Sequence, residues 1–220
     1  MEQRIALVFG ATGLVGNLLL EELVNSGKYS LIRIFVRQSA GITSDGIEEV
    51  ITDFTNPGIF SSKLRGDDLF ICLGTTIKKA GSIANMEKID RDLPVLIAGQ
   101  AKANGVSRIA VVSSIGADSG SKNYYLRIKG EMEEGVLKSG IEKIVIVKPS
   151  MLLGDRKERR VGEIAGKIVM KTVSPLLAGK LSKFRAIHGR DVARAMIILL
   201  NSDTDKKIFE SDELKKAVKE

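Results

Sequence analysis

The chain has 220 residues, of which 44% are hydrophobic and 28% are charged, and its formal net charge is +7 at neutral pH. This composition can bury a core, so it excludes a disordered chain as the main description. One cysteine and one histidine exclude an intramolecular disulfide and a thiolate zinc site, and we expect a reducing, cytoplasmic location. The basic residues are interleaved with acidic ones, so the charge does not predict nucleic-acid binding.

Short apolar runs alternate with helix-like stretches along the first 150 residues. Each run is far shorter than the roughly 18 to 20 apolar residues that span a bilayer, so we expect no transmembrane helix. The predicted strands are residues 5–9, 31–36, 49–51, 69–73, 109–112 and 144–147. The predicted helices are residues 14–26, 83–104 and 123–139, with Gly27, Gly105 and Gly140 at their C-caps. This βαβ order predicts an α/β fold, a doubly wound parallel sheet with helices on both faces.

After Pro149 the alternation loosens. Within one domain spanning residues 1–220, we expect residues 150–220 to form a small, mostly helical, substrate-side appendage with a helix over residues 192–201. Residues 156–160 are strongly basic and are either a solvated turn or a contact for an anionic substrate or acidic partner. Residues 161–177 carry apolar side chains at helical spacing, which favours a core helix or pocket lid over a membrane-binding helix.

The first predicted strand runs directly into the sequence GATGLVG, which opens the first helix. Gly10 permits a tight turn, Gly13 lets a pyrophosphate approach the backbone, and Gly16 allows the helix to pack closely. The helix N-terminus adds N–H groups and the positive end of a dipole. This context predicts a dinucleotide site, although an ordinary tight turn is the alternative. The residues expected around the phosphates are Gly10, Thr12, Gly13, Leu14, Val15 and Gly16.

The second strand ends at Arg37, about 20 residues after the glycine loop, where NAD-specific proteins carry an acidic residue for the ribose hydroxyls. A guanidinium at this position would instead pair with the 2′-phosphate of NADP. A solvated arginine is the alternative. Asp53 and Phe54 follow the third strand, where they could contact the edge and face of the adenine.

Tyr125 and Lys129 lie four residues apart on a predicted helix, which places them on one face. A phenol has an ordinary pKa of about 10, and a neighbouring ammonium favours its ionised form. Such a pair makes a tyrosine usable as a proton donor. Ser113 and Ser114 end the preceding strand, and a hydroxyl there could orient a substrate carbonyl while a nicotinamide supplies hydride.

Several longer segments carry a family resemblance: ICLGTTIKKAGS, IDRDLP, VVSSIGAD, YYLRIKGEME and KPSMLLGDR. Together with the glycine loop they resemble the short-chain dehydrogenase/reductase family in its extended or atypical form, in the branch of the Tat-interactive proteins. The resemblance implies an NADP(H)-binding Rossmann fold with Ser114, Tyr125 and Lys129 as the catalytic set, Lys129 also bonding the nicotinamide ribose. It further implies that Leu73, Gly74 and Thr75 line the cofactor and that Pro149 lies near the nicotinamide.

One position departs from the family pattern. Asp90 stands where many members carry an asparagine that supports a proton relay. The leading hypothesis is an NADPH-dependent reductase of a small carbonyl compound. The rival is an NADP(H)-sensing protein that regulates or assembles protein partners without turnover. The sequence favours Ser114 over Ser113 as the active serine by its resemblance to the family pattern.

Overall fold

Strands and helices alternate along the chain in the predicted order. The computed structural model describes residues 4–42, 44–54, 60–154 and 179–219. The main strands are β1 (Arg4–Phe9), β2 (Tyr29–Val36), β3 (Ile47–Ile51), β4 (Asp68–Ile71), β5 (Arg108–Val112) and β6 (Lys143–Lys148). The helices between them are α1 (Leu14–Ser26), α2 (Ile77–Ala80), α3 (Ile83–Glu87), α4 (Leu93–Ala103) and α5 (Tyr124–Leu137). The basic run at 156–160 and the apolar segment at 161–177 lie outside the described residues.

The C-terminal region adds both helices and strands. It comprises β7 (Leu152–Leu153), a 3₁₀ helix (Gly179–Phe184), β8 (Ile187–His188), α6 (Gly189–Leu200), β9 (Ile208–Glu210) and α7 (Ser211–Ala217). The sequence predicted α6 but none of these short strands. β7 and β8 pair with each other, whereas β9 pairs with β6. The tail therefore extends the main sheet, and its role as a substrate-side appendage stays a prediction.

The main sheet has seven parallel strands in the order β3-β2-β1-β4-β5-β6-β9. From β1 the chain adds β2 and β3 on one side of the sheet. It then returns to add β4, β5, β6 and β9 on the other side. Because parallel strands need crossover helices, both faces of the sheet are covered. This confirms the predicted doubly wound, Rossmann-like fold.

Two apolar layers hold the helices against the sheet. On one face, Leu19 and Leu23 of α1 and Met196 of α6 pack in one buried cluster. On the other face, Ile97 of α4 and Met132 of α5 belong to a second cluster. The strands contribute alternate residues to the two clusters, which explains why their sequences are apolar almost throughout.

The segment predicted as one helix over residues 83–104 is interrupted. Lys88–Asp92 form a π-helical turn between α3 and α4. Pro94, at the start of α4, has no N–H for the carbonyl four residues earlier, and its ring crowds that carbonyl. A locally widened turn accommodates this defect, and it carries the buried Asp90.

Candidate functional site

The loops after the strands meet at the carboxyl edge of the sheet, where open α/β folds bind ligands. This edge brings together the glycine loop after β1, Arg37 after β2, residues 52–54 after β3 and residues 72–75 after β4. The serine pair follows β5, and Pro149 follows β6. The residues predicted for the cofactor and catalytic sites therefore lie on loops at this edge, in the first turn of α1 or on α5.

The glycine loop is tightly folded. Gly10 has φ +82°, and a Cβ there would lie 2.5 Å from Cys72 O. A Cβ on Gly16 would lie 2.0 Å from Gly10 O, so α1 approaches the loop as closely as glycine permits. Gly13 caps α1 without a side chain and is exposed together with Thr12. The N-terminal amides of α1 can thus be reached from solvent, while Val15 is buried beneath them.

The residues after β2 and β3 differ in their surroundings. Arg37 is exposed, and within the described part of the chain no ion pair or hydrogen bond holds it. Asp53 is exposed. Phe54 has φ +63°, and its ring packs at 5.9 Å from the rings of both Phe9 and Phe60. Much of that ring therefore belongs to the core.

The loop after β4 is held by Asp90. The backbone N–H of Thr75 donates to Asp90 Oδ2 at 2.9 Å, and Lys129 Nζ lies 2.8 Å from Asp90 Oδ1. A Cβ on Gly74 would lie 3.6 Å from that same carboxylate oxygen and 4.0 Å from Lys129 Nζ. Asp90 thus joins the loop of Leu73, Gly74 and Thr75 to the lysine on α5. Sequence reasoning identified Asp90 as a departure but did not predict this direct contact.

Tyr125 and Lys129 lie one turn apart on α5, as their spacing predicts. The helix begins after Asn123, whose Oδ1 accepts the Leu126 N–H at 3.2 Å. Lys129 is 3% exposed, whereas Tyr125 is 37% exposed. The ammonium is therefore withdrawn from water and balanced by Asp90, and the neighbouring phenol remains accessible. This arrangement leaves the Tyr125 phenol accessible as an acid at the surface of the site, while the charge of Lys129 is buried.

The neighbouring Tyr124 has a different environment. Its hydroxyl donates to Ile83 O at 3.4 Å. Partial desolvation and the Glu87 carboxylate raise the pKa of Tyr124 to about 12. Tyr124 is therefore a neutral phenol at physiological pH.

The two serines after β5 have different partners. Ser113 is buried, and its hydroxyl donates to Glu133 Oε1. Ser114 is half-buried, and among the described residues its Oγ makes a single long contact, donating to Ile115 O at 3.5 Å. The Ser113 hydroxyl is thus occupied by its hydrogen bond to a buried carboxylate. Sequence reasoning did not predict this difference, although Glu133 follows Lys129 by one further turn on the same face.

The end of β6 is anchored from the C-terminal tail. Pro149 is buried, and its carbonyl accepts the N–H of Ile115 at 3.0 Å. The N–H of Ser150 donates to Ser211 Oγ at 2.7 Å. The tail residue Ser211 thereby fixes the backbone beside Pro149, a contact that sequence reasoning missed.

Other chemistry is sparse in the part of the chain that the structure describes. No three His, Cys, Asp or Glu side chains group there as metal ligands. Burial raises the pKa of the Cys72 thiol to about 12, so this cysteine is a poor nucleophile. Among these same residues, no helix combines the length and apolar character needed to cross a membrane.

The sheet order and the glycine loop together define a dinucleotide-binding protein of the Rossmann class. The chain belongs to the NAD(P)H-binding family, which it matches over residues 10–203. It is 30% identical over 223 residues to "Protein FMP52, mitochondrial" of Eremothecium gossypii, covering 98% of this chain and 97% of that one. It is also 32% identical to "Protein HTATIP2" of Rattus norvegicus, over 74% of this chain and 69% of the relative. The predicted resemblance to the Tat-interactive branch is confirmed.

Solved structures agree with the fold. A short-chain dehydrogenase/reductase superfamily protein from Agrobacterium tumefaciens with bound NAD superposes with a TM-score of 0.72 at 16% identity, covering 95% of this chain and 78% of that chain. The structure of gox2253 superposes with a TM-score of 0.71 at 20% identity, and the match covers 94% of this chain and 69% of the gox2253 chain. The chain thus has the NAD(P)-binding Rossmann fold.

The expectation of a cytoplasmic protein is wrong. Relatives from Candida glabrata, Eremothecium gossypii and Coccidioides immitis are named mitochondrial proteins, which points to mitochondria rather than to the cytoplasm. The expectation depended on the single cysteine. That cysteine shows only that the chain cannot form an internal disulfide, and this does not distinguish one reducing compartment from another.

The residues present fit a dinucleotide. Side chains at Gly10 and Gly16 would collide with backbone, so this loop conformation strongly favours glycine at both positions. The exposed Gly13 leaves the positive end of α1 open to a phosphate. The first turn of α1 carries no acidic side chain that would repel it.

Proposed function

We propose that this protein is an NADPH-dependent reductase of a small carbonyl compound in which Tyr125 supplies the proton. The observation that carries the proposal is the buried Asp90–Lys129 pair, which lies against the loop after β4 and one helical turn from the exposed Tyr125. A family fold alone would not support chemistry. A buried, charge-balanced lysine beside an accessible phenol at the ligand-binding edge does support it.

Each residue of the set has a separate task. Tyr125 donates its proton to the carbonyl oxygen as the alcohol forms. Lys129 stabilises the phenolate that remains, and Asp90 holds the Lys129 side chain in place. The bound nicotinamide would supply the hydride. Ser114 orients the carbonyl by hydrogen bonding, since the hydroxyl of Ser113 is committed to Glu133.

The remaining loops would hold the nucleotide. The glycine loop, with Thr12, Leu14 and Val15, would bind the pyrophosphate at the start of α1. Arg37 would pair with the 2′-phosphate, and its exposure supports this role. Asp53 would accept a bond from the adenine edge, while Phe54 would offer only the part of its ring that the core leaves open. Leu73, Gly74, Thr75 and Pro149 would lie nearer the nicotinamide, where Lys129 would also bond the ribose.

The test of catalysis compares two neighbouring tyrosines. NADPH oxidation is followed with a panel of small aldehydes and ketones for the wild type, Tyr125→Phe and Tyr124→Phe. We expect Tyr125→Phe to lower kcat by about 100- to 10,000-fold, the range for a lost general acid. Tyr124→Phe should retain wild-type turnover, because the contacts of the Tyr124 hydroxyl within the described part of the chain are with Ile83 O and the Glu87 carboxylate, outside the proposed catalytic set. Equal rates in all three proteins would remove Tyr125 from the reaction.

The same preparation tests the rival function. If NADPH binds but no carbonyl compound is reduced, proteins captured with and without NADPH are compared. A partner that depends on NADPH would then favour a sensing role. Nucleic acid has no place in either proposal.

The test of cofactor preference uses Arg37→Ala in calorimetric titrations with NADPH and NADH. We expect the variant to lose at least about tenfold in NADPH affinity, as a charge-assisted phosphate contact implies, and little in NADH affinity. Arg65→Ala is the matched control, since this exposed arginine precedes β4 at the opposite edge of the sheet. Equal losses for both nucleotides would exclude Arg37 from the phosphate site.

A further inference from the structure

A buried polar network lies under the carboxyl edge of the sheet, beside the groups assigned above. Glu133 is 6% exposed and Lys148 is 9% exposed. Lys148 Nζ donates to Glu133 Oε2 at 3.0 Å and to Ala117 O at 2.8 Å, and the other carboxylate oxygen accepts from Ser113 Oγ. Every oxygen of the carboxylate thus has a partner.

This network connects three parts of the site. Ser113 and Ala117 belong to the loop after β5, Glu133 belongs to α5, and Lys148 ends β6. A buried ion pair is costly to desolvate and is weak evidence for stability, since apolar residues of similar volume often replace it without loss. What this pair provides, and apolar packing would not, is a directed link to one hydroxyl and one carbonyl of the loop.

The loop itself is pressed against α5. A Cβ on Gly130 would lie 2.2 Å from the backbone nitrogen of Ser119, so the loop and the helix are in backbone contact. The N–H of Ile115 donates to Pro149 O at 3.0 Å. Ser114 therefore lies in a segment held on one side by α5 and on the other by the end of β6.

We propose that Glu133 and Lys148 are positioning residues that clamp residues 113–119 between α5 and β6, so that the Ser114 hydroxyl is aimed at the same substrate as Tyr125. The role for Ser114 rests on the proposed reductase function. The clamp follows from the geometry of α5: Tyr125, Lys129 and Glu133 are successive residues at spacing four on one helical face. One helix thereby carries the acid, the charge that supports it and the anchor of the serine loop.

The test is the double variant Glu133→Leu/Lys148→Met, which removes both charges together and leaves no unpaired ion in the interior. Hydrogen exchange of peptides covering residues 113–119 is measured by mass spectrometry, along with kcat, KM and the NADPH dissociation constant. Lys143→Met is the matched control. This lysine clamps the other end of β6, donating to Ser202 O at 2.9 Å and to Thr204 O, far from the serine loop.

We expect exchange in residues 113–119 to accelerate by about tenfold or more in the double variant. We expect kcat to fall roughly 10- to 100-fold, the cost of a misplaced catalytic group, with NADPH affinity within about twofold of wild type. Lys143→Met should leave both loop exchange and kcat unchanged. If the double variant does not fold, Ser113→Ala removes the hydroxyl bond alone, and a severalfold acceleration of exchange is then expected.

The outcomes separate this inference from the proposed function. Unchanged loop exchange in the double variant overturns the clamp, whether or not the wild type reduces any carbonyl compound. Accelerated exchange with unchanged kcat overturns the positioning role. Accelerated exchange with a wild type that has no turnover supports the clamp and counts against the reductase.

Discussion

Replacing Asp90 by alanine tests the central ion pair of the site. The substitution leaves the Lys129 ammonium, whose side chain is 4% exposed, without its partner at 2.8 Å. It also removes the acceptor of the Thr75 N–H. Breaking a buried pair by deleting one partner costs about 3–5 kcal/mol. Since domains are stable by only about 5–15 kcal/mol, we expect Asp90→Ala to lose a large fraction of its stability.

Urea unfolding followed by circular dichroism measures the free energy of unfolding, with the m-value checked for a constant denatured state. Asp90→Asn keeps an oxygen for the Thr75 N–H and should lose less than Asp90→Ala. Asp92→Ala is the matched control from the same π-helical turn. Asp92 is exposed and pairs with Arg91 at 2.7 Å, so its removal should cost no more than about 1 kcal/mol.

The reasoning would be refuted if Asp90→Ala and Asp92→Ala destabilised the protein equally. That result would mean that Lys129 finds water or another partner once Asp90 is removed. The charge balance at the base of the site would then not depend on Asp90, and its place in the proposed mechanism would be lost.

Two further predictions concern α1. Gly16→Ala places a methyl group 2.0 Å from a backbone oxygen of the glycine loop, so it should destabilise the protein by about 1–3 kcal/mol and weaken nucleotide binding. The control is Gly99→Ala on α4, where nothing lies within 4 Å of the added methyl group, and this variant should be more stable by up to about 1 kcal/mol. Similar shifts in melting temperature for both variants would contradict this prediction. Burial raises the pKa of Glu22, but the bonds from Arg194 and Arg190 outweigh it and set that pKa below its ordinary value. Glu22→Gln should therefore lower the free energy of unfolding by about 0.5–1 kcal/mol at neutral pH. This loss should be present above the ordinary pKa of 4.5 and should disappear as the pH falls through the lowered pKa of Glu22. If urea titrations still show the loss at pH 2, the charge of Glu22 is not its cause.

The sequence predicted the features that depend on local pattern. The apolar runs locate the strands, and Gly27 locates the end of α1, because each is a property of adjacent residues. Gly140 was predicted to cap α5, but the cap is Lys138, two residues earlier. The interrupted helix could also have been found, since Pro94 cannot bond the carbonyl of Asp90. It was missed because the apolar periodicity continues across the break.

Features that depend on residues far apart in the chain could not be predicted from local sequence pattern. The contact of Lys129 with Asp90 joins residues 39 positions apart, and nothing in the spacing specifies it. The same holds for Ser113: the family resemblance favoured Ser114, but the physical difference between the two serines comes from Glu133, 20 positions away. β9 has three residues, too few for a pattern, and forms only because β6 offers it an unpaired edge.

The position of β9 has a practical consequence for anyone who shortens this protein. The family match ends at residue 203, whereas β9 begins at Ile208 and Ser211 follows it. A protein cut at that boundary would present the open backbone of β6, a template for intermolecular strand pairing. It would also release the Ser150 amide from Ser211. Loss of binding in such a shortened protein would report aggregation and a loosened loop rather than a missing catalytic group.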